Sequence, residues 1–203
     1  MGQLIACAAA DGVLVATDSR AVFFEPFGEE RFVKLDRLVP VTSHVVLASA
    51  GAVEAQDLCQ DFASFAKGEN LTEMDALIQA AIPFFTSRYD EILRKMCEKC
   101  PPDPIINMYL VMAGYSANAG HLFVIWDRPK PPKIEYNRVT DVFTLPRRLG
   151  LEFKLHQLIK EKTPVAKLAE VARAGMEKLA GQDEYLGAPY QYVTITKAGI
   201  IRA

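Results

Sequence analysis

The 203-residue chain has little of several things that would mark it out, and each scarcity removes a class of function. Four cysteines are too few for a disulfide scaffold at this length. No apolar run reaches the roughly 18 residues that a membrane helix needs. The start of the chain lacks the basic and apolar regions of a signal peptide, because Met1-Gly2-Gln3 leads straight into a strand pattern, and a cytoplasmic protein is expected. The formal net charge of only −2 argues against an electrostatic nucleic-acid surface. Repeats and low-complexity segments are lacking too. The three histidines, His44, His121 and His156, are isolated and read as ordinary surface or strand-end residues. Cys7 and Cys59 lie in apolar patterns and read as small core residues. Cys97-Glu98-Lys99-Cys100 is the one spaced pair. A structural zinc needs four ligands and no second pair accompanies it, so two thiols at a helix end are the expected reading, with a reversible disulfide as the alternative. No cofactor or metal site is expected.

What is present is ordinary globular composition, half hydrophobic and about a quarter charged, enough for one domain over 1–203 with a substantial core. The stretch Asp11 to Arg20, DGVLVATDSR, organises the rest. Asp11-Gly12 is a strong hairpin signal, since Gly supplies positive φ in a tight turn. Apolar runs lie on both sides, Leu4 to Ala10 and Val13 to Ala16. The outgoing strand delivers Thr17, Asp18, Ser19 and Arg20 at its end, as a salt-bridged strand end or as the floor of a site.

Ala21 to Arg31, with Pro26 and Gly28, reads as a loop. Phe32 to Val39 alternates as a half-buried strand does, which from pattern alone leaves Lys34 facing solvent. Val45 to Ala50 is a buried strand closed by Gly51. A helix then carries Val53, Leu58, Phe62 and Phe65. A second one, with Thr72 as cap, runs from Met74 to Met96, and Pro83 is expected to kink it before Pro101-Pro102-Asp103-Pro104 ends it. Strands follow at Met108 to Tyr115 and His121 to Trp126, joined by the turn Ser116 to Gly120. Past the stiff turn Pro129 to Lys133, Ile134 to Thr144 reads as a third strand. The last third offers a short helical piece around Leu155 to Lys162. After it comes an amphipathic helix behind Thr163-Pro164, with Val165, Leu168, Ala169, Ala172, Met176 and Leu179 buried and Gly181 at its end. A hairpin of Tyr190 to Thr196 and Gly199 to Ile201 closes the chain. Strand groups separated by paired helices favour an α+β fold with antiparallel sheets. Because both groups are apolar on both faces, two stacked sheets with helices outside are expected: a four-layer α-β-β-α sandwich.

With these pieces in place the chain resembles a family. The hairpin ending in Asp18-Ser19-Arg20-Ala21, the strand carrying Lys34, the Ser49-Ala50-Gly51 turn into a helix, and Ala113-Gly114-Tyr115 together look like a β-type subunit of the proteasome. They are also similar to the bacterial proteasome-like proteases of the N-terminal-nucleophile hydrolase class. The likeness runs nearly end to end, and the interval from Asp18 to Lys34 matches it. No N-terminal extension of the α-type kind is seen, so the β-type is favoured.

The resemblance implies a threonine-type peptidase acting on peptides or unfolded protein and assembling into a ring-shaped homo-oligomer. In that family the first residue of the mature chain attacks through its side chain, and its own amine or a neighbouring water serves as base. A lysine beside it shifts nearby pKa values, and an acid holds that lysine. A backbone N–H stabilises the oxyanion for roughly 3–4 kcal/mol. By position, Asp18 is the acid, Lys34 the lysine and Gly51 the oxyanion donor. The nucleophile position falls on Gly2, which has no hydroxyl or thiol. The orienting serine falls near Thr144, and a late acid-and-serine pair keeps Asp183 but has Leu186 in the serine's place.

Three readings compete: a catalytically silent ring subunit, an active peptidase whose natural residue 2 or another residue is the nucleophile, and a module that binds a peptide or small ligand in the cleft. Ser19, the nearest hydroxyl to the cluster apart from Thr17, would belong to the site's wall.

Overall fold

A computed structural model of the chain describes residues 2–24, 30–97, 108–129 and 132–202; at 23, 24, 93, 95–97, 129 and 132 the description is of backbone only. Met1, Pro26, Gly28, residues 98–100 of the spaced cysteine pair, Pro101-Pro102-Asp103-Pro104, Lys130 and Pro131 lie outside the described residues.

The apolar runs on either side of Asp11-Gly12 form β1 (Leu4–Ala8) and β2 (Gly12–Thr17), buried along their whole length. Period-2 alternation explains how a strand can be apolar on both faces. Leu4, Ala6, Val13 and Val15 point into one apolar cluster, while Ile5, Cys7, Leu14 and Ala16 point into another. The turn differs in its chemistry from the sequence expectation. The loop spans residues 9–12, closed by Ala9 N–H on the Gly12 carbonyl at 2.8 Å, and Gly12 is not among the positive-φ glycines. Gly12 is needed for room, because a Cβ there would come within 2.7 Å of the Ile195 carbonyl oxygen.

β1 and β2 sit inside an antiparallel sheet with β10 (Val142–Leu145), β11 (Gln191–Thr196) and β12 (Gly199–Arg202), in the order β10-β1-β2-β11-β12. A second antiparallel sheet has the order of the chain: β5 (Leu38–Pro40), β6 (Val45–Gly51), β7 (Met108–Ser116), β8 (Ala119–Pro129) and β9 (Pro132–Val139). The β7–β8 turn places Ala117 and Asn118 at φ 49° and 59°, the paired left-handed geometry of a two-residue hairpin. The third expected strand therefore splits: 132–139 joins this sheet, and 142–145 crosses to the other.

β3 (Arg20–Phe24) and β4 (Glu30–Lys34) form a separate two-stranded ribbon where a loop was expected. Its register sets Arg20 opposite Lys34.

Helices α1 (Glu54–Gly68) and α2 (Met74–Cys97) cover the second sheet through Leu58, Phe62, Leu77 and Phe85, against Leu47, Leu110 and Met112. α2 continues through Pro83 as one helix. α3 (Leu149–Lys160), longer than expected, and α4 (Val165–Ala180) cover the first sheet through Leu155, Leu168, Ala172 and Met176. The cluster between the two sheets joins Leu4, Val15 and Val193 to Val46, Ala48 and Val111. Helices, sheet, sheet and helices thus stack through three apolar interfaces. Among the described residues, no helix is long and apolar enough to cross a membrane.

Asp11 has a task that turn statistics do not reveal. Its carboxylate accepts the Val165 N–H at 2.9 Å, at the first residue of α4. The first N–H groups of a helix lack internal partners, and a carboxylate there also meets the positive end of the helix dipole. Asp11→Ala should lower stability by about 1 kcal/mol in urea unfolding, and Asp11→Asn by less. Equal losses would remove the capping role.

Candidate functional site

The site begins where β2 ends. Asp18 is fully buried, and its carboxylate is fixed from three directions by backbone. Oδ1 accepts the Gln3 N–H at 2.9 Å and Oδ2 the Arg20 N–H at 3.2 Å, while the Gly187 backbone N–H also acts on it. Asp18 N–H returns to the Gln3 carbonyl at 3.2 Å, so residues 2 and 3 lie directly over the acid.

The cation beside Asp18 is Arg37, and this corrects the assignment of Lys34. Lys34 ends β4 exposed and lines a different groove, with Asp36, Gln191 and Arg202. The physical reason is local. The β3–β4 ribbon diverges from both sheets, Leu35 N–H bonds the Ser19 carbonyl at 2.8 Å, and the chain turns inward only at Arg37, next to β5. Arg37 is 3% exposed. Its N–H bonds Gln191 Oε1 at 3.0 Å, its carbonyl accepts the Ser49 N–H at 3.1 Å, and its Nη2 donates to the Arg20 carbonyl at 3.1 Å.

Gly2 lies between the two charges. A Cβ built on it would stand 2.4 Å from Asp18 Oδ1 and 3.3 Å from Arg37 Nη2. Gly2 and Gly51 line one cavity of about 340 Å³ with Arg20, Ala21, Val22, Arg37, Val53 and Tyr185. Gly51 closes β6 at φ 87°, a conformation in which a side chain is strained.

Asp183 is not in this cavity, but connects to it. Its carboxylate lies 3.6 Å from Arg148, whose Nε donates to Gln3 Oε1 at 2.8 Å. Asp183 also accepts the Tyr185 N–H at 3.1 Å and so positions the tyrosine that borders the cavity. Leu186 is buried. Thr144 is buried and occupied elsewhere, donating to Glu152 at 2.6 Å and accepting the Arg148 N–H at 2.8 Å. Ser19 is buried, and its Oγ has no hydrogen-bond partner among the described residues. Thr17 bonds the Asp18 carbonyl at 3.0 Å. Among the described residues no group of three His, Cys, Asp or Glu stands together as metal ligands would.

Burial pushes the Asp18 carboxyl above the usual carboxylate range, against the opposing pull of Arg37 and the amides of Gln3, Gly187 and Arg20. Burial likewise pulls Arg37 down, against the attraction of Asp18. An acid whose folded pKa exceeds its unfolded one holds its proton longer in the folded state. Its contribution is therefore greatest below the unfolded value, about 4, and falls as pH rises through the folded value. The stability of the protein relative to Asp18→Asn should decline as pH rises from about 4, read by urea titrations at stepped pH. A difference that grows with pH would reverse the sign.

Sequence reasoning placed Arg20 at the polar end of β2 and missed Arg37, Gln3 and Tyr185. A cation directly before the apolar Leu38-Val39 pair was the available signal for Arg37. Neither a scan against protein-family models nor a search of the curated proteins gives a match.

Proposed function

We propose that the chain is a proteasome-family subunit of the N-terminal-nucleophile hydrolase class whose cleft performs no peptide hydrolysis, and that it acts by assembling with copies of itself into a closed ring. The four-layer α-β-β-α order supports the fold part of this reading. So does an acid at the end of β2 beneath residue 2, with a cation beside it and Gly51 across the same cavity. One observation carries the silence. At the nucleophile position there is neither a reactive atom nor room for one, because a Cβ on Gly2 would collide with the Asp18 carboxylate. An arginine beside it also holds its charge more firmly than a lysine would.

The test is native mass spectrometry with negative-stain imaging, alongside a panel of fluorogenic peptides. A ring-sized oligomer that leaves every peptide intact is the expected result. A monomer at micromolar concentration would overturn the assembly. Peptide hydrolysis that Arg37→Met abolishes would overturn the silence.

A further inference from the structure

The cavity shared by Gly2 and Gly51 holds more positive charge than its walls need. Arg20 and Arg37 both line it, and the acid beside them, Asp18, does not. Arg37 is buried, yet among the described residues its side chain makes a single hydrogen bond, from Nη2 to the Arg20 carbonyl. Its Nε–H is buried with no partner among the described residues. A buried donor left unpaired is costly, more so on a charged group, and native proteins leave few of them.

Arg20 is held in place before any ligand arrives. Its Nη1 donates to the Glu184 carbonyl at 2.6 Å, and its guanidinium lies 4.9 Å over the Phe32 ring. Gly187 makes space for it, since a Cβ there would stand 2.2 Å from Arg20 Nε. The remaining wall is apolar: Ala21, Val22 and Val53. Tyr185 borders it with its hydroxyl turned to Glu30 at 3.1 Å, an exposed acid at the rim.

We propose that this cavity receives a carboxylate group, the free C-terminus of a peptide or a small organic acid, on the guanidinium groups of Arg37 and Arg20, with the ligand's apolar part against Val22 and Val53. Two arginines and one buried aspartate leave one positive charge for a monoanion to neutralise. The planar guanidinium fork matches a carboxylate in shape as well as charge. About 340 Å³ is at the small end of ligand sites and suits a residue or two. Because Asp18 beside the cavity already offsets Arg37, a dianion such as phosphate would keep one charge without a countercharge.

Calorimetry with N-acetyl-alanyl-valine, its C-terminal amide, acetate and inorganic phosphate tests this on the full chain. The free acid should bind at least about tenfold more tightly than the amide. Arg20→Gln, a partly exposed position, should reduce the acid's affinity by a similar factor and leave the amide unchanged. Val53→Phe, which fills the cavity and keeps both charges, should abolish binding. Acetate binding as well as the peptide acid would assign the site to small organic acids, and a tighter peptide acid would assign it to chain ends. Acid and amide binding alike, phosphate binding best, or no heat from any ligand at millimolar concentration would each overturn the proposal. It does not rest on ring assembly, so a monomer that still separates acid from amide would sink the proposed function and leave this inference standing.

Discussion

Arg37→Met should destabilise the protein by about 3–5 kcal/mol, because it strips the buried Asp18 carboxylate of the cation that faces it. The melting temperature should fall by roughly 10 °C for a chain of this size. Methionine keeps most of the volume, so the loss reports charge and hydrogen bonding rather than a cavity. Two groups are stranded at once: the carboxylate, and the Arg20 carbonyl that accepts from Nη2. Because Asp18 escapes the lone charge by taking up a proton, the penalty should be smaller at pH 5 than at pH 8. Adding Asp18→Asn should recover part of the loss, a coupling that separated substitutions do not show. Lys34→Ala is the control. It is exposed, so the change should stay within about 0.5 kcal/mol. Equal damage from the two substitutions would return Lys34 to the site.

That contrast shows what the sequence could and could not disclose. The layers were legible because they follow from periodicity. Alternate residues of β1 and β2 feed two different clusters, and the stripe Val165, Leu168, Ala172 and Met176 can bury in only one direction. Asp18 was legible because four polar residues after a wholly apolar strand must end it. The cation was not. Lys34 and Arg37 are three residues apart, and both follow a stretch whose path depends on the β3–β4 ribbon, a feature without strong turn signals at its strands. Counting along the chain assumes a fixed path, and here the path adds residues before turning inward. Asp183 lies outside the cavity, and its link to the site is an ion pair to Arg148 followed by a hydrogen bond from Arg148 to Gln3, between segments 145 residues apart. Long-range polar contacts of that kind leave no periodic trace.

The same geometry determines what a restored nucleophile would do. Gly2→Thr should cost about 2–4 kcal/mol and produce no peptide hydrolysis. The obstacle is the atom 2.4 Å from the new Cβ, Asp18 Oδ1, which cannot swing aside while the Gln3 and Arg20 amides hold the carboxylate. Crowding a packed site costs about 1–3 kcal/mol, and losing a hydrogen bond to a charged group costs a comparable amount. Gly2→Ala carries the same Cβ without the hydroxyl and should lose nearly as much, which separates crowding from polarity. Removing the obstructing oxygens in Gly2→Thr/Asp18→Ala should cost less than the two single changes together. Chemistry fails for a further reason. A hydroxyl at position 2 needs a base within hydrogen-bond reach, and in the arrangement the resemblance implies that base is residue 2's own free amine or a water beside it. Asp18 cannot replace it while its oxygens are engaged by backbone amides. A Gly2→Thr protein as stable as the parent that cleaves fluorogenic peptides would show that the position accepts a nucleophile, and the reading of a silent cleft would fall with it.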